Sequence, residues 1–112
     1  MGDQENSDPE LWVSSGDQRT VVHVGGEMDI DRAPMLIEAL LCATTQPDGP
    51  SEIVVDVADM SFCDSSGINA LIAGLRAAEE HGRRISLRGP RRQLLHLLEL
   101  TGTDKLFPIT DL

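Results

Sequence analysis

The sequence predicts an α/β fold: a mixed, mostly parallel sheet with an antiparallel hairpin at its N-terminal edge, and three helices. Two observations carry that expectation. Short apolar, β-branched runs, Ile53 to Val57 above all, alternate with segments of helical period, the pattern of strand–helix–strand units. Such units build parallel sheets with right-handed crossovers. The first two strand-like runs are instead joined only by a turn around Ser15-Gly16-Asp17, which is too short for a crossover and implies an antiparallel pair.

In chain order, Leu11-Trp12-Val13 reads as an edge strand, and Thr20 to Val24 as its partner. His23 alternates with Val22 and Val24 and should face away from them, as a structural histidine. Gly25 to Asp31 reads as a loop. Asp31 is the expected N-cap of a helix that has Pro34 in its first turn, where proline is tolerated. Ala33, Leu36, Ile37, Leu40 and Leu41 form its apolar face, and it should end near Thr45, before Pro47-Asp48-Gly49-Pro50. Ile53 to Val57 has the continuous apolar character of a strand covered on both faces. After the Met60 to Gly67 turn, Ile68, Leu71, Ile72 and Leu75 mark a second helix that runs to about Glu80 and stops at Gly82. Its small residues Ala70, Ala73, Gly74, Ala77 and Ala78 allow close packing. Ile85 to Arg88 is a further strand. Gly89-Pro90 opens a third helix carrying Leu94, Leu97, Leu98 and Thr101, and Gly102 ends it. Leu106 to Ile109 is the expected last strand, with Pro108 suited to an edge.

A chain of 112 residues makes one domain, here 11–112, after a polar, acidic lead-in at 1–10 that is expected to be disordered and has no signal-peptide profile. With Trp12, Phe62 and Phe107 as its aromatics, the core must be aliphatic. No apolar run is long enough for a membrane span. The net charge of −10 argues against direct nucleic-acid binding, which needs basic surface. Arg83, Arg84, Arg88, Arg91 and Arg92 nevertheless cluster, either as a solvated patch or as a small docking patch for an acidic partner. Cys42 and Cys63 have no metal-ligand or redox spacing. They read as small apolar fillers in a reducing cytosol, and no metal or cofactor is expected.

The stretch Met60-Ser61-Phe62-Cys63-Asp64-Ser65-Ser66-Gly67-Ile68 is where chemistry is most expected. Asp64, Ser65 or Ser66 can cap the second helix. Gly67 lets another group approach its first turn. A helix N-terminus favours an anion, so a phosphate on one of these serines would find donors in place. Capping alone also accounts for these residue types. If the strands before Glu27-Asp29 and before Asp64-Ser65 are parallel neighbours, both loops emerge at the carboxyl end of the sheet, where sites of such folds gather.

The Asp64-Ser65-Ser66-Gly67 loop resembles the phosphorylation loop of the STAS family, in particular the bacterial anti-sigma factor antagonists. Gly26-Glu27-Met28-Asp29 resembles an element that those proteins carry after an early strand. Leu94-Leu95-His96-Leu97-Leu98-Glu99-Leu100-Thr101-Gly102 resembles their Leu-rich helix and the glycine after it. The three matches occur in family order across about Thr20 to Ile109. The resemblance implies a STAS-like fold and a cytoplasmic, non-enzymatic regulator. It also implies that Ser65 is the phosphoacceptor and that Glu27, Asp29, Asp64, Ser65, Ser66, Gly67 and Asn69 form the partner-binding surface. Implied partners are an anti-sigma factor with serine kinase activity, released from its sigma factor by docking, and a PP2C-type phosphatase. Asn69 stands where many relatives have a second glycine, and a further C-terminal helix found in many of them is absent here.

Rival readings are fewer in support. A nucleotide-binding or other small-ligand STAS module would use the same helix N-terminus, but no G-x-x-x-x-G-K-[ST] motif is present. An aspartate-phosphorylated receiver could use Asp56 and Lys105, but too few strand–helix units are present. A serine hydrolase lacks a G-x-S-x-G elbow, and His23, His81 and His96 have no triad spacing.

Overall fold

In the computed structural model, residues 8–111 are described. The elements are β1 (Leu11–Ser15), β2 (Arg19–Val24), β3 (Gly26–Met28), α1 (Ala33–Thr45), β4 (Glu52–Asp56), β5 (Met60–Cys63), α2 (Ser65–Glu80), β6 (Arg84–Arg88), α3 (Arg92–Thr101) and β7 (Ile109–Thr110). The main sheet has five strands in the order β1-β2-β4-β6-β7. Among the described residues β1–β2 is the antiparallel pair, and β2–β4, β4–β6 and β6–β7 are parallel. The expected α/β architecture is therefore present, hairpin included.

One sheet face carries Val22, Val24, Ile53, Val55, Ile85 and Leu87 into an aliphatic core. Leu36 and Leu40 of α1, Leu71 and Leu75 of α2, and Leu94 and Leu98 of α3 join the same cluster. The small residues of α2 serve close packing as expected. A Cβ on Gly74 would come within 2.7 Å of Leu40 Cδ1, so α1 and α2 touch where the glycine sits.

Several expectations are corrected. The segments at Gly26–Met28 and Met60–Cys63, read as loop and turn, are short strands that pair in parallel as a separate two-stranded sheet. They are too short and too mixed in composition to show a period of two. The last strand is Ile109–Thr110; Phe107, 4% exposed, is instead a core plug, and Pro108, which has no N–H to donate, precedes the strand while its carbonyl accepts from Leu87 N at 2.9 Å. Asp31 does not cap α1. The helix begins after Arg32 with no side-chain cap, and Asp29 instead closes the preceding turn, its Oδ1 accepting from the N–H groups of Asp31 (3.1 Å) and Arg32 (3.3 Å). Leu41 is 39% exposed, while Ala43 and Thr44 occupy the buried side. Cys42 is exposed and only Cys63 is buried, so one of the two cysteines acts as a filler. Asp8 to Glu10 are tied to the domain. Asp8 Oδ2 accepts from Arg32 Nε at 2.9 Å, and Glu10 O accepts from Gly25 N. The rest of the expected lead-in lies outside the described residues.

The other sheet face carries a row of polar side chains in register: Trp12, His23, Asp56 and Arg88. Trp12 stacks on His23 with ring centroids 3.8 Å apart. Asp56 Oδ2 lies 3.4 Å from His23 Nδ1 and accepts from Arg88 Nη2 at 2.9 Å. His23 is thus on the face opposite Val22 and Val24, as expected. Asp56 belongs to this cross-strand row, which gives it a structural task and removes the main support for a receiver-like phosphoacceptor. Burial works to raise the Asp56 pKa. The Arg88 hydrogen bond, the Ala58 N–H and the charges of Arg88 and His23 outweigh it and hold the carboxyl below its usual value. A lowered folded-state pKa stabilises above the unfolded carboxylate range, and that stability is lost as pH falls through the depressed value. The stability gap between wild type and Asp56→Asn, followed by thermal unfolding, should be widest at pH 7 and close below about pH 4. A gap constant with pH would contradict the ion-pair account.

Candidate functional site

The site forms where β3 and β5 end side by side. Their register pairs Glu27 with Phe62 and Met28 with Cys63, with a shift between Gly26 and Glu27. Met28 and Cys63 point inward, both 0% exposed, while Glu27 and Phe62 face solvent. The chain then leaves both strands in the same direction. Met28 O accepts from Asp64 N at 3.1 Å and joins the Glu27-Asp29 loop to the Asp64-Ser65 loop. The two loops converge as expected, through a small sheet that the sequence did not announce.

Asp64 is the N-cap of α2. Its backbone is extended (φ −106°, ψ −172°), and its Oδ1 accepts from Ser66 N at 2.9 Å and Gly67 N at 3.3 Å. A cap of this kind contributes about 1 kcal/mol. It also corrects an expectation: two N–H groups that a phosphate was to use are already taken by Asp64, so the helix start is not an open anion cradle. The same engagement weakens the small-ligand reading.

Ser65 is the first residue of α2 and is exposed, whereas Ser66 is half-buried and Gly67 is buried. Gly67 is required sterically. A methyl there would overlap Cys63 Sγ and come within 2.9 Å of Met28 Cγ. Asn69, one turn after Ser65, is also exposed. Beyond it, Asn69, Ile72, Ala73 and Arg76 of α2 line a shallow cleft of about 530 Å³ with Leu41 of α1.

Of the remaining expected site residues, Glu27 is exposed beside the loop, and Asp29 is half-buried and occupied in closing the turn before α1. All seven therefore lie on this end of the molecule or on the first turns of α2. Two large apolar side chains near them escaped the sequence reading: Ile30 is 71% exposed and Phe62 is 44% exposed. Also unanticipated were Arg32 and Gln93. Arg32 Nη1 donates to Gly25 O (2.8 Å) and Glu27 O (2.5 Å) and braces β3 from behind. Gln93 of α3 bonds both backbone polar groups of Cys63. Neither belongs to a local sequence pattern, because both act across long sequence separations or through backbone groups.

The chemistry available is that of a presented hydroxyl. Burial and the neighbouring Asp64 push the Cys63 thiol up to about 12, so it stays protonated and is no nucleophile at neutral pH. Among the described residues no hydrogen bond joins Ser65 to a histidine. His23 lies beside Asp56, and His81 Nδ1 lies 2.9 Å from Ala77 O. Among the same residues no group of His, Cys, Asp and Glu is placed to hold a metal ion. The arginine cluster is largely committed singly: Arg83 to Ala43 O, Arg88 to Asp56 and Arg91 to Ala58 O. It therefore reads as separate structural ties, not one docking patch.

The sequence and the fold both match those of known proteins. The family model described as "Mlab, STAS domain" matches residues 12–109. An anti-sigma-B factor antagonist of Staphylococcus aureus (strain NCTC 8325 / PS 47) is 29% identical over 101 residues, covering 90% of this chain and 92% of that protein. The crystal structure of an anti-sigma factor antagonist from Mycobacterium paratuberculosis is 32% identical, with a TM-score of 0.71 over 93% of this chain and 89% of that one. The anti-sigma factor antagonist SpoIIAA in its unphosphorylated form shares the fold at 19% identity, with a TM-score of 0.77 over 91% of this chain and 87% of that one.

Proposed function

The chain belongs to the STAS domain family, and we propose that within it this protein is an anti-sigma factor antagonist whose partner binding is controlled by phosphorylation of Ser65. The observation that carries this reading is the exposure of Ser65 at the first position of α2, on a loop held from three directions. The names of the relatives point to the same class. Unmodified, the surface formed by Glu27, Asp29, Asp64, Ser65, Ser66, Gly67 and Asn69 docks on an anti-sigma factor and frees a sigma factor. That partner, a serine kinase, supplies the nucleotide chemistry; this chain supplies the hydroxyl and catalyses nothing. A PP2C-type phosphatase completes the cycle.

Phosphorylation adds about −1.5 to −2 charge at pH 7. The new dianion stands next to Asp64 and close in sequence to an end already rich in acids. It would have to be desolvated against the partner. A loss of about 3 kcal/mol is more than a hundredfold in affinity, so no large change of fold is needed.

The test is to incubate the protein with ATP and its kinase and map the product by mass spectrometry. Phosphate at Ser65 is expected; phosphate only at Ser7, Ser14 or Ser86 would overturn the assignment. The exposed Ile30 and Phe62 are the apolar anchors of the same surface. Replacing both with serine should weaken binding of the unmodified protein about tenfold or more by calorimetry, the size of effect usual for buried apolar anchors. Unchanged affinity would place the interface elsewhere.

A further inference from the structure

We propose that Gln93 is the positioning residue that sets the Ser65 hydroxyl for transfer, an inference that rests on the reading of Ser65 as the acceptor. Among the described residues strand β5 has one strand neighbour, β3, and no ladder partner at its other edge. The Gln93 carboxamide fills that place. Cys63 N donates to Oε1 at 2.9 Å, and Nε2 donates to Cys63 O at 2.8 Å. A carboxamide offers a donor and an acceptor together, so it reproduces the two-point contact of a neighbouring peptide group. Two positions earlier, Arg91 Nε donates to Ala58 O at 2.8 Å. The start of α3 thus clasps β5 from the segment before it to its last residue. Leu94 and Leu98, 2% and 0% exposed, seat the helix that carries the clasp.

Only Asp64 separates Cys63 from Ser65, and Asp64 is itself fixed by Met28 O and by its cap bonds. Gln93, Met28 O and the cap bonds thus share the placing of the backbone that leads into Ser65, and losing the Gln93 pair loosens that support on one side. Small displacements of a reacting group cost a transfer step dearly. The expected signature is a defect in turnover more than in docking, since the exposed side chains that dock are untouched.

Two variants separate positioning from bulk stability. Gln93→Met removes both bonds at similar volume. Gln93→Glu keeps the acceptor for Cys63 N but sets a carboxylate oxygen against Cys63 O. In the Met variant, exchange of the Cys63 amide measured by NMR should accelerate about tenfold, the loss of one hydrogen bond. Its kcat for Ser65 phosphorylation by the anti-sigma factor kinase should fall about tenfold, with KM within about twofold. In the Glu variant, which keeps the acceptor for Cys63 N, exchange of that amide should stay closer to wild type than in the Met variant, while the lost donor to Cys63 O leaves a rate defect. Unchanged kcat and exchange in the Met variant, or Cys63 exchange in the Glu variant as fast as in the Met variant, would overturn the role of Gln93 alone. A wild-type protein that is never modified at Ser65 would sink the acceptor reading and this proposal with it.

Discussion

A Ser65→Asp variant is expected to bind the anti-sigma factor at least tenfold more weakly while melting within a few degrees of wild type, for two independent reasons. Ser65 is exposed, so the substitution creates no cavity and buries no charge, and exposed changes of this kind stay within about 0.5 kcal/mol. An acid in the first turn also interacts favourably with the helix N-terminus, by about 0.3–1 kcal/mol. The fold therefore loses nothing, whereas the docked state must desolvate a second carboxylate beside Asp64. Aspartate carries one charge where a phosphate carries nearly two, so it should reproduce part of the phosphorylation effect. Calorimetry and thermal unfolding on the same preparation check both halves. Undiminished binding would count against electrostatic control, and a collapsed melting temperature would mean that Ser65 holds the fold together.

Gly67→Val should be the most damaging single change at this end of the molecule. The first atom added meets Cys63 Sγ and Met28 Cγ, and both residues are 0% exposed, packed within the core. Overpacking of this kind costs about 1–3 kcal/mol, and valine, being β-branched, brings little of the helix-propensity gain that alanine would. For a domain of this size each kcal/mol lowers the melting temperature by roughly 4–8 °C. The strain also lies across the joint between the two loops, so partner binding should fall with stability. A Gly67→Val protein with wild-type melting would mean that β3 and β5 are not packed as described.

The contrast between these two neighbouring positions shows what was legible in the sequence. The strand-to-helix turn, the cap and the glycine that admits a close neighbour could be read because each depends on residues within a few positions of one another. The parallel sheet and its hairpin followed from the spacing of apolar runs. The small β3–β5 sheet did not, because strands of three and four residues have no room to display a period. Gln93 was equally invisible. Its partner is the backbone of a residue thirty positions away, and a backbone contact leaves no mark on the partner's side chain. Asp29 and Asp31 show the converse failure. Both are acids before a helix, yet neither caps it: Asp29 closes the turn ahead of α1, which local capping preference did not reveal.

The most direct measurement is titration calorimetry of the anti-sigma factor with two preparations of this protein, one unmodified and one stoichiometrically phosphorylated at Ser65. The account predicts firm binding by the first and an affinity more than about a hundredfold lower for the second, with both preparations unfolding at nearly the same temperature. Equal affinities would show that the hydroxyl at the head of α2 is not the switch.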